Sequence, residues 1–326
     1  MGEIIEGIAR AERERISSLR RRGKFFWVDV SLEETSREEL GEALGIPAHV
    51  LRLLVDFRAG TPPSRKFHAD GQHVVFAFGA FLDRGGPGGA DRSLRPLDVH
   101  VLICGDYVLT VHEQAVSLPE QLSLETPEGR SEQYIVYAVL DAMVDTGFDA
   151  LDEAELSIEG MQAMSTDMRG SRVRMATLRA ITSRLSRMRR RLGPQRGIFE
   201  RISVEIGRIE GLEADSEQYF ERIYAQLNRL IDGIDAAAAS LANLIDLRLN
   251  ETIYWLTVVA TIFLPLTFVT GFFGMNFDWM IGEIDTALAF VLLGIGAPIL
   301  GAALTLLAVR RRGTPIEPDQ PQPGRR

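Results

Sequence analysis

The segment GFFGMNFDWM, residues 271–280, places two glycines, an amide and a carboxylate between two apolar runs. At that position Asn276 can offer a neutral oxygen acceptor, the kind of group that meets a cation still carrying its waters. The plainer role for such an amide is to cap a helix end. Other chemistry-bearing residues are sparse. His112-Glu113 has no nucleophile or metal ligand near it in sequence, and the histidines at 49, 68, 73, 100 and 112 show no metal-finger spacing. The single cysteine, Cys104, gives no soft cluster and no internal disulfide, which fits a reducing compartment. A Gly-rich phosphate loop of the Walker type is also absent, so nothing in the sequence composes an enzyme.

The elements that must position Asn276 are two long charge-free runs. There is no charged residue between Glu251 and Asp278, nor from Thr286 to Val309. Each run has the roughly 20 apolar residues that a helix needs to cross a hydrocarbon core. The N-terminus is charged, so neither run reads as a secretory signal. Arg248 precedes the first run and Arg310, Arg311 and Arg312 follow the second, whereas the segment between them carries Asp278, Glu283 and Asp285 with no Lys or Arg. By the positive-inside rule both termini are expected in the cytoplasm, in a multi-pass inner-membrane protein with an acidic external loop. Small residues at Gly294, Gly296, Ala297 and Gly301 permit close helix contact in the second span.

The formal net charge of −9 hides a basic segment: residues 169–201 hold eleven arginines and one acid, Glu200. Val173, Leu178, Ile181, Leu185, Met188 and Leu192 recur there at helical spacing, so the arginines read as the solvated face of a helix beside acidic neighbours, and no nucleic-acid partner is expected. Upstream, residues 1–130 read as an α/β domain. KFFWVDVSL, HVVFAFGAFL and HVLICGDYVLTVHE are strand-like runs, and SREELGEALG is a helix capped by Ser36 and stopped at Gly45. Strand signals cease near Ser131, and residues 131–250 read as a helical bundle with a break at Gly193-Pro194 and a final stalk helix capped by Asp215 or Ser216. Ile223, Leu227, Leu230, Ile234, Ala238, Leu241 and Ile245 form a seam along that helix, which continues into the first span past Gly233 and Pro265. The spacing predicts a rod of roughly 57 residues, about 85 Å long.

LNETIYWLTVVATIFLPLTFVTGFFGMNF closely resembles the pore helix of the CorA family of divalent-cation transporters, within the CorA/ZntB-like superfamily, whose signature is Gly-Met-Asn at the outer end of the first of two C-terminal spans. Here the signature is Gly274, Met275, Asn276, and WVDVSLEE and CGDYVLTVHE are similar to the family's cytoplasmic domain. The resemblance implies an α+β cytoplasmic domain, long stalk helices and two transmembrane helices, assembled as a homopentameric funnel around a central pore. The implied spans are residues 251–276 and 286–309, with an external loop at 277–285 and a cytoplasmic tail at 310–326. The family's pore-facing places fall on Asn250, Ile253, Leu256, Leu264, Thr267 and Gly271, with Leu256 and Ile253 as an apolar constriction.

The implied function is channel-like import of Mg²⁺, with Co²⁺ or Ni²⁺ as further substrates, across a lipid bilayer. Neither span contains Asp, Glu, Lys, Arg or His, which favours downhill flow over proton coupling. Family members also bind Mg²⁺ as a regulatory ion at cytoplasmic carboxylates between subunits. Asp152, Glu153, Glu155, Glu213, Asp215, Glu217 and Glu221 are the candidates here, with no pair assigned. Two alternatives stand beside this reading: a ZntB-like zinc transporter, and a membrane-anchored coiled-coil scaffold that conducts nothing. Phe277 after the signature leans towards the magnesium branch. The proline and glutamate that often follow the signature are replaced by Ile281 and Gly282, with Glu283 displaced.

Overall fold

A computed structural model of the protein describes residues 3–56, 66–82, 94–122, 124, 131–166, 175–212, 216–275, 286, 288 and 290–312. The chain divides into two compact units, Met1–Leu241 and Ala242–Arg326.

The first unit is organised on a six-stranded mixed sheet built from β1 (Glu3–Glu6), β2 (Phe26–Ser31), β3 (Phe67–Ala69), β4 (Val74–Leu82), β5 (Arg95–Ile103) and β6 (Tyr107–His112). Its order is β1-β2-β6-β5-β4-β3; β1, β2 and β6 are parallel, and β6, β5, β4 and β3 pair antiparallel. Two departures from the sequence reading are clear. HVLICGDYVLTVHE is a hairpin of β5 and β6 turning at Gly105-Asp106, rather than one strand. The short strands β1 and β3 on the sheet's two edges have too few residues for a periodic pattern and went unread.

Every residue of β2, β4 and β6 is buried, because helices cover both faces of the sheet. Alternation along β2 sends Phe26, Val28 and Val30 into one core with Ile16 and Leu19 of α1 (Arg10–Arg21), Leu40 and Leu44 of α2 (Arg37–Leu44), and Val50 and Leu54 of α3 (Ala48–Val55). The Ser36 cap is a full capping box with Glu39, and Gly45 ends α2 at φ 62°, a left-handed conformation that glycine adopts without strain. On the opposite face Phe199 of α7 (Gln195–Ile206) packs edge-on against Phe76 and Phe78 of β4.

A short helix α4 (Leu118–Gln121) is followed by α5 (Tyr134–Thr166) and α6 (Met175–Leu192). Leu178, Ile181, Leu185, Met188 and Leu192 of α6 are buried; Val173 lies outside the described residues. The arginines beside them find acids on three other elements. Arg184 reaches Glu153 of α5 at 2.6 Å, Arg189 reaches Asp235 at 2.8 Å, and Arg191 pairs with Asp98 of β5.

The helix α8 (Ser216–Phe273) runs unbroken for 58 residues, beginning within the first unit. It approaches α5 closely at two glycines: a Cβ on Gly147 would lie 2.5 Å from Leu230 Cδ2, and one on Gly233 would lie 2.7 Å from Leu151 Cδ2. Each glycine admits a leucine from the other helix, which explains a glycine in mid-helix despite its cost of about 1 kcal/mol. The seam is a strict alternation of fours and threes, with Ile223, Leu227, Leu230, Ile234, Ala237, Leu241 and Leu244 buried. Ala238 is exposed and Ile245 only half-buried, so the last two turns are read one residue earlier than the sequence spacing suggested. Asp215, one of the two expected caps, lies outside the described residues.

Within the sheet, Asp29 and His112 are buried together, and this answers the question raised by His112-Glu113. His112 Nε2 lies 3.3 Å from Asp29 Oδ1, Thr110 donates to Asp29 Oδ1 at 2.6 Å, and Trp27 Nε1 donates to Thr110 at 2.9 Å. With His112 fully buried, this closed network has no face for a substrate; it ties β2 to β6. His100 of β5 is buried separately, and burial pushes its pKa down to about 4, outweighing the Leu54 carbonyl that accepts from its ring. The folded value lies below the unfolded one near 6.5, so the neutral ring stabilises the fold fully above pH 6.5, and this contribution is lost as pH falls towards 4. Thermal melts of the detergent-purified protein are expected to show a loss of about 3 kcal/mol from this group between those pH values, and the loss should disappear in His100→Gln.

Candidate functional site

From Asn250 to Gly271, α8 holds the residues expected to face a pore, and all six are exposed in the single chain. At about 100° per residue, Asn250, Ile253, Leu256, Leu264, Thr267 and Gly271 fall within an arc of about 120°. Thr257 and Ala260 fall in the same arc and are also exposed. The sequence reading passed over them, although the 3.6-residue period places them there. Phe268, also exposed, shares the bearing of Asn250 at the arc's edge, while Trp255 and Val259 lie on the far side, so the arc holds an amide, hydroxyls, alanine and glycine among large apolar residues. The most apolar window of this helix has a mean hydropathy of 1.9 and is 6% buried, which makes α8 the one helix among the described residues long and apolar enough to cross a membrane.

Hydroxyl groups on this segment are satisfied within the helix. Thr257 donates to the Ile253 carbonyl at 2.9 Å, Thr261 to Thr257 at 2.7 Å, and Thr267 to Phe263 at 2.8 Å. In hydrocarbon that back-bonding spares each hydroxyl an unpaired proton, while its oxygen keeps lone pairs that can accept. The helix also passes through Pro265, which removes the N–H that would otherwise meet the Thr261 carbonyl.

The helix ends in a tightened turn: Gly274 N–H donates to the Thr270 carbonyl at 2.9 Å and Met275 N–H to Phe272 at 3.2 Å. A Cβ at Gly274 would sit 3.1 Å from the Thr270 oxygen, so any side chain there would push the backbone apart by a few tenths of an ångström. A Cβ at Gly271 would meet nothing within 4 Å. Asn276, together with Asp278, Glu283 and Asp285 of the expected external loop, lies outside the described residues. Beyond that loop, a π-helical stretch at Phe290–Gly296 leads into α9 (Ala297–Arg312). The apolar part described there, Gly294–Thr305, is shorter than a full span.

Among the described residues, the carboxylate candidates for a regulatory ion do not converge into a metal-binding group. Glu153 is committed to Arg184, whose hydrogen bond holds its pKa below the usual carboxylate range. Asp152 and Glu221 are exposed and Glu155 is half-buried; Glu213 and Asp215 lie outside the described residues, as does the side chain of Glu217. A different set does come together: His49, His68 and Asp70 bring three ligand atoms within 4.8 Å of one another. Sequence spacing missed this set because the fold, not a local motif, assembles it.

The sequence pattern of the CorA-like Mg²⁺ transporter protein family matches residues 22–311. The chain belongs to the CorA-like Mg²⁺ transporter family. This is a family of transporters rather than enzymes. Among curated relatives, the chain is 26% identical over 154 residues to the cobalt/magnesium transport protein CorA of Thermotoga maritima, covering 45% of this chain and 43% of that protein. It is 27% identical over 190 residues to the zinc transport protein ZntB of Yersinia enterocolitica, covering 55% of this chain and 56% of that protein. The chain thus spans about half the length of the curated relatives it matches. Its fold is similar to the CorA magnesium transporter of Methanocaldococcus jannaschii, with a TM-score of 0.55 at 17% identity over 89% of this chain and 90% of that one. It is similar also to the full-length CmaX protein, with a TM-score of 0.56 at 19% identity over 88% of each.

The two glycines at the end of this CorA-like helix should respond differently to a methyl group. Gly271→Ala is expected to leave the melting temperature unchanged or slightly higher, because it fills open space and improves helix propensity by about 1 kcal/mol. Gly274→Ala is expected to lower it. The reverse order in a melting experiment would mean that a neighbour closes on Gly271.

Proposed function

We propose that the protein is a channel-like importer of divalent cations, with Mg²⁺ as principal substrate, driven by the membrane potential. The observation that carries this reading is the exposed arc of α8 between residues 250 and 271, which places the amide of Asn250, the hydroxyls of Thr257 and Thr267, Ala260 and Gly271 among apolar residues on one charge-free helix. Such an arc suits a helix that lines a watery conduit with spaced acceptors and apolar narrowings. Five copies arranged as a homopentameric funnel would bring these arcs onto one axis. The charge-free run 286–309 would supply a second transmembrane helix outside them.

In this arrangement Gly274, Met275 and Asn276 form the mouth. Mg²⁺ sheds its waters reluctantly, so a ring of neutral amide oxygens recognises the hydrated ion through its shell. Thr267 and Asn250 offer further acceptors along the path, while Ile253 and Leu256 form an apolar constriction that closes by dewetting. A divalent cation entering a cell at 100 mV, negative inside, gains about 4.6 kcal/mol, so no nucleotide is needed. Asp278, Glu283 and Asp285 would raise the local cation concentration outside the mouth as a field effect. The exposed Asp152 and Glu221 and the half-buried Glu155 remain the described candidates for a regulatory Mg²⁺ shared between subunits.

The match with a zinc transport protein supports a second reading in which the carried ion is Zn²⁺. Ion flux into proteoliposomes separates the two. Magnesium uptake that rises with an inside-negative potential is expected; zinc uptake without magnesium uptake would replace the first reading by the second. Asn276→Ala is expected to abolish uptake while the assembly keeps its size on gel filtration. Unchanged uptake in that variant would remove the amide mouth, and no flux of any divalent ion would leave a scaffold.

A further inference from the structure

His49 is the second residue of α3, His68 is the central residue of β3, and Asp70 opens the tight turn between β3 and β4. They are separated by 19 and 2 positions in sequence, and only the packing of α3 beside the edge of the sheet brings them together. Asp70 Oδ2 lies 3.7 Å from His49 Nε2 and 3.8 Å from His68 Nε2. The two imidazole rings meet edge to face, with centroids 5.9 Å apart.

The carboxylate is held in place. Asp70 Oδ1 accepts the backbone N–H groups of Gln72 at 3.0 Å and His73 at 2.7 Å, which fixes the plane of the carboxylate relative to the turn. His73 Nδ1 stands 3.2 Å from Oδ2, supporting the same group from behind. His68 Nε2 is buried and makes no hydrogen bond. A buried ring nitrogen without a partner is disfavoured, unless something else is meant to meet it.

We propose that His49, His68 and Asp70 form a binding site for a borderline transition-metal dication, of the class of Zn²⁺, Co²⁺ or Ni²⁺. Two imidazole nitrogens and one carboxylate oxygen suit these ions and not Mg²⁺, which asks for oxygen ligands. Ligand atoms around a tetrahedral zinc at about 2.0–2.1 Å sit about 3.4 Å from one another. The separations from Asp70 Oδ2 exceed that by a few tenths of an ångström and all three ligand atoms lie within 4.8 Å of one another, so metal binding draws the exposed His49 side chain inward. Water completes the coordination. His73, bonded to the liganding carboxylate, is a positioning residue that orients Asp70 rather than touching the metal. The bound ion ties the start of α3 to the β3–β4 edge of the sheet. The site is independent of whatever ion crosses the membrane, since all its parts lie in the first unit.

Titration of the detergent-purified full chain with ZnCl₂ and MgCl₂ by calorimetry, and with CoCl₂ by visible absorption, tests the site. Zn²⁺ is expected to bind with a stoichiometry one per chain higher than in the His49→Ala/His68→Ala double variant, and Co²⁺ to give a histidine-dependent ligand-field band. Either single substitution should weaken this binding by about 100-fold, and His73→Ala by about 10-fold, the size of an outer-shell effect. Zinc should raise the melting temperature of the wild type and not of the variants. His49 is exposed, so His49→Ala keeps the test valid even if His68→Ala folds poorly. Equal zinc stoichiometry and affinity in the wild type and His49→Ala, or binding of Mg²⁺ that is lost with the histidines, would overturn the proposal.

Discussion

One helix has to satisfy two solvents, and the rest of the structure follows from how α8 does so. From Phe220 to Leu244 it buries a stripe repeating at fours and threes, widened at Ile231, as a helix does when water lies along its other faces. Beyond Glu251 the pattern changes to residues that are apolar almost all round and exposed almost all round. No break in the backbone accompanies the change. That continuity matters because a hydrocarbon environment leaves no water to pair with a broken turn, and each unpaired group there costs several kcal/mol. The threonines back-bonded onto preceding carbonyls meet the same requirement for side chains.

The first unit shows the complementary solution for charge. Three arginines of its arginine-rich helix are matched to acids from α5, β5 and α8. These pairs are part-exposed, so each contributes modestly; their use is to fix which face of α6 turns inward, leaving Leu178, Ile181, Leu185, Met188 and Leu192 to supply the burial. Inside the sheet the fully buried pairing of Asp29 with His112 follows a stricter rule. Trp27, Thr110 and the Leu118 N–H take up the remaining hydrogen-bonding capacity, because a half-satisfied charge there would destabilise the fold strongly.

Local chemistry was the most legible part of this sequence. The capping box of Ser36 and Glu39, the left-handed Gly45, the break at Gly193-Pro194 and the buried stripe of α6 each depend on residues within a few positions of one another. Features that depend on tertiary packing were not legible. The β5–β6 turn at Gly105-Asp106 joins two strand-like halves that run on with only these two residues between them, and Gly105 is fixed by a backbone approach: a Cβ there would lie 2.4 Å from the Glu210 carbonyl oxygen. Of the seam positions beyond Ile234, Leu241 is buried as read, whereas Ala238 and Ile245 give way to Ala237 and Leu244; alanines at 236 to 239 give apolar character to every face. The choice of Ala237 over Ala238 is made by what the helix packs upon. The stripe from Asn250 to Gly271 was named from a family resemblance, and helix geometry adds Thr257 and Ala260 to it.

On the proposed reading, the two cation chemistries of this chain divide by whether the ion keeps its water. A mouth of amides, hydroxyls and carbonyls offers neutral oxygen to the outside of a hydration shell, and such contacts read size and charge while leaving the metal's own bonds intact. The ion best served is one that exchanges water unwillingly, which describes Mg²⁺. The pair of imidazoles at His49 and His68 would act in the opposite manner. Nitrogen competes with water for the metal itself, so that site selects ions that bind softer donors. A path of hydrated ions and a pocket for a partly stripped one can therefore coexist in one protein, with Mg²⁺ favoured by the first ligand set and a borderline transition-metal dication by the second.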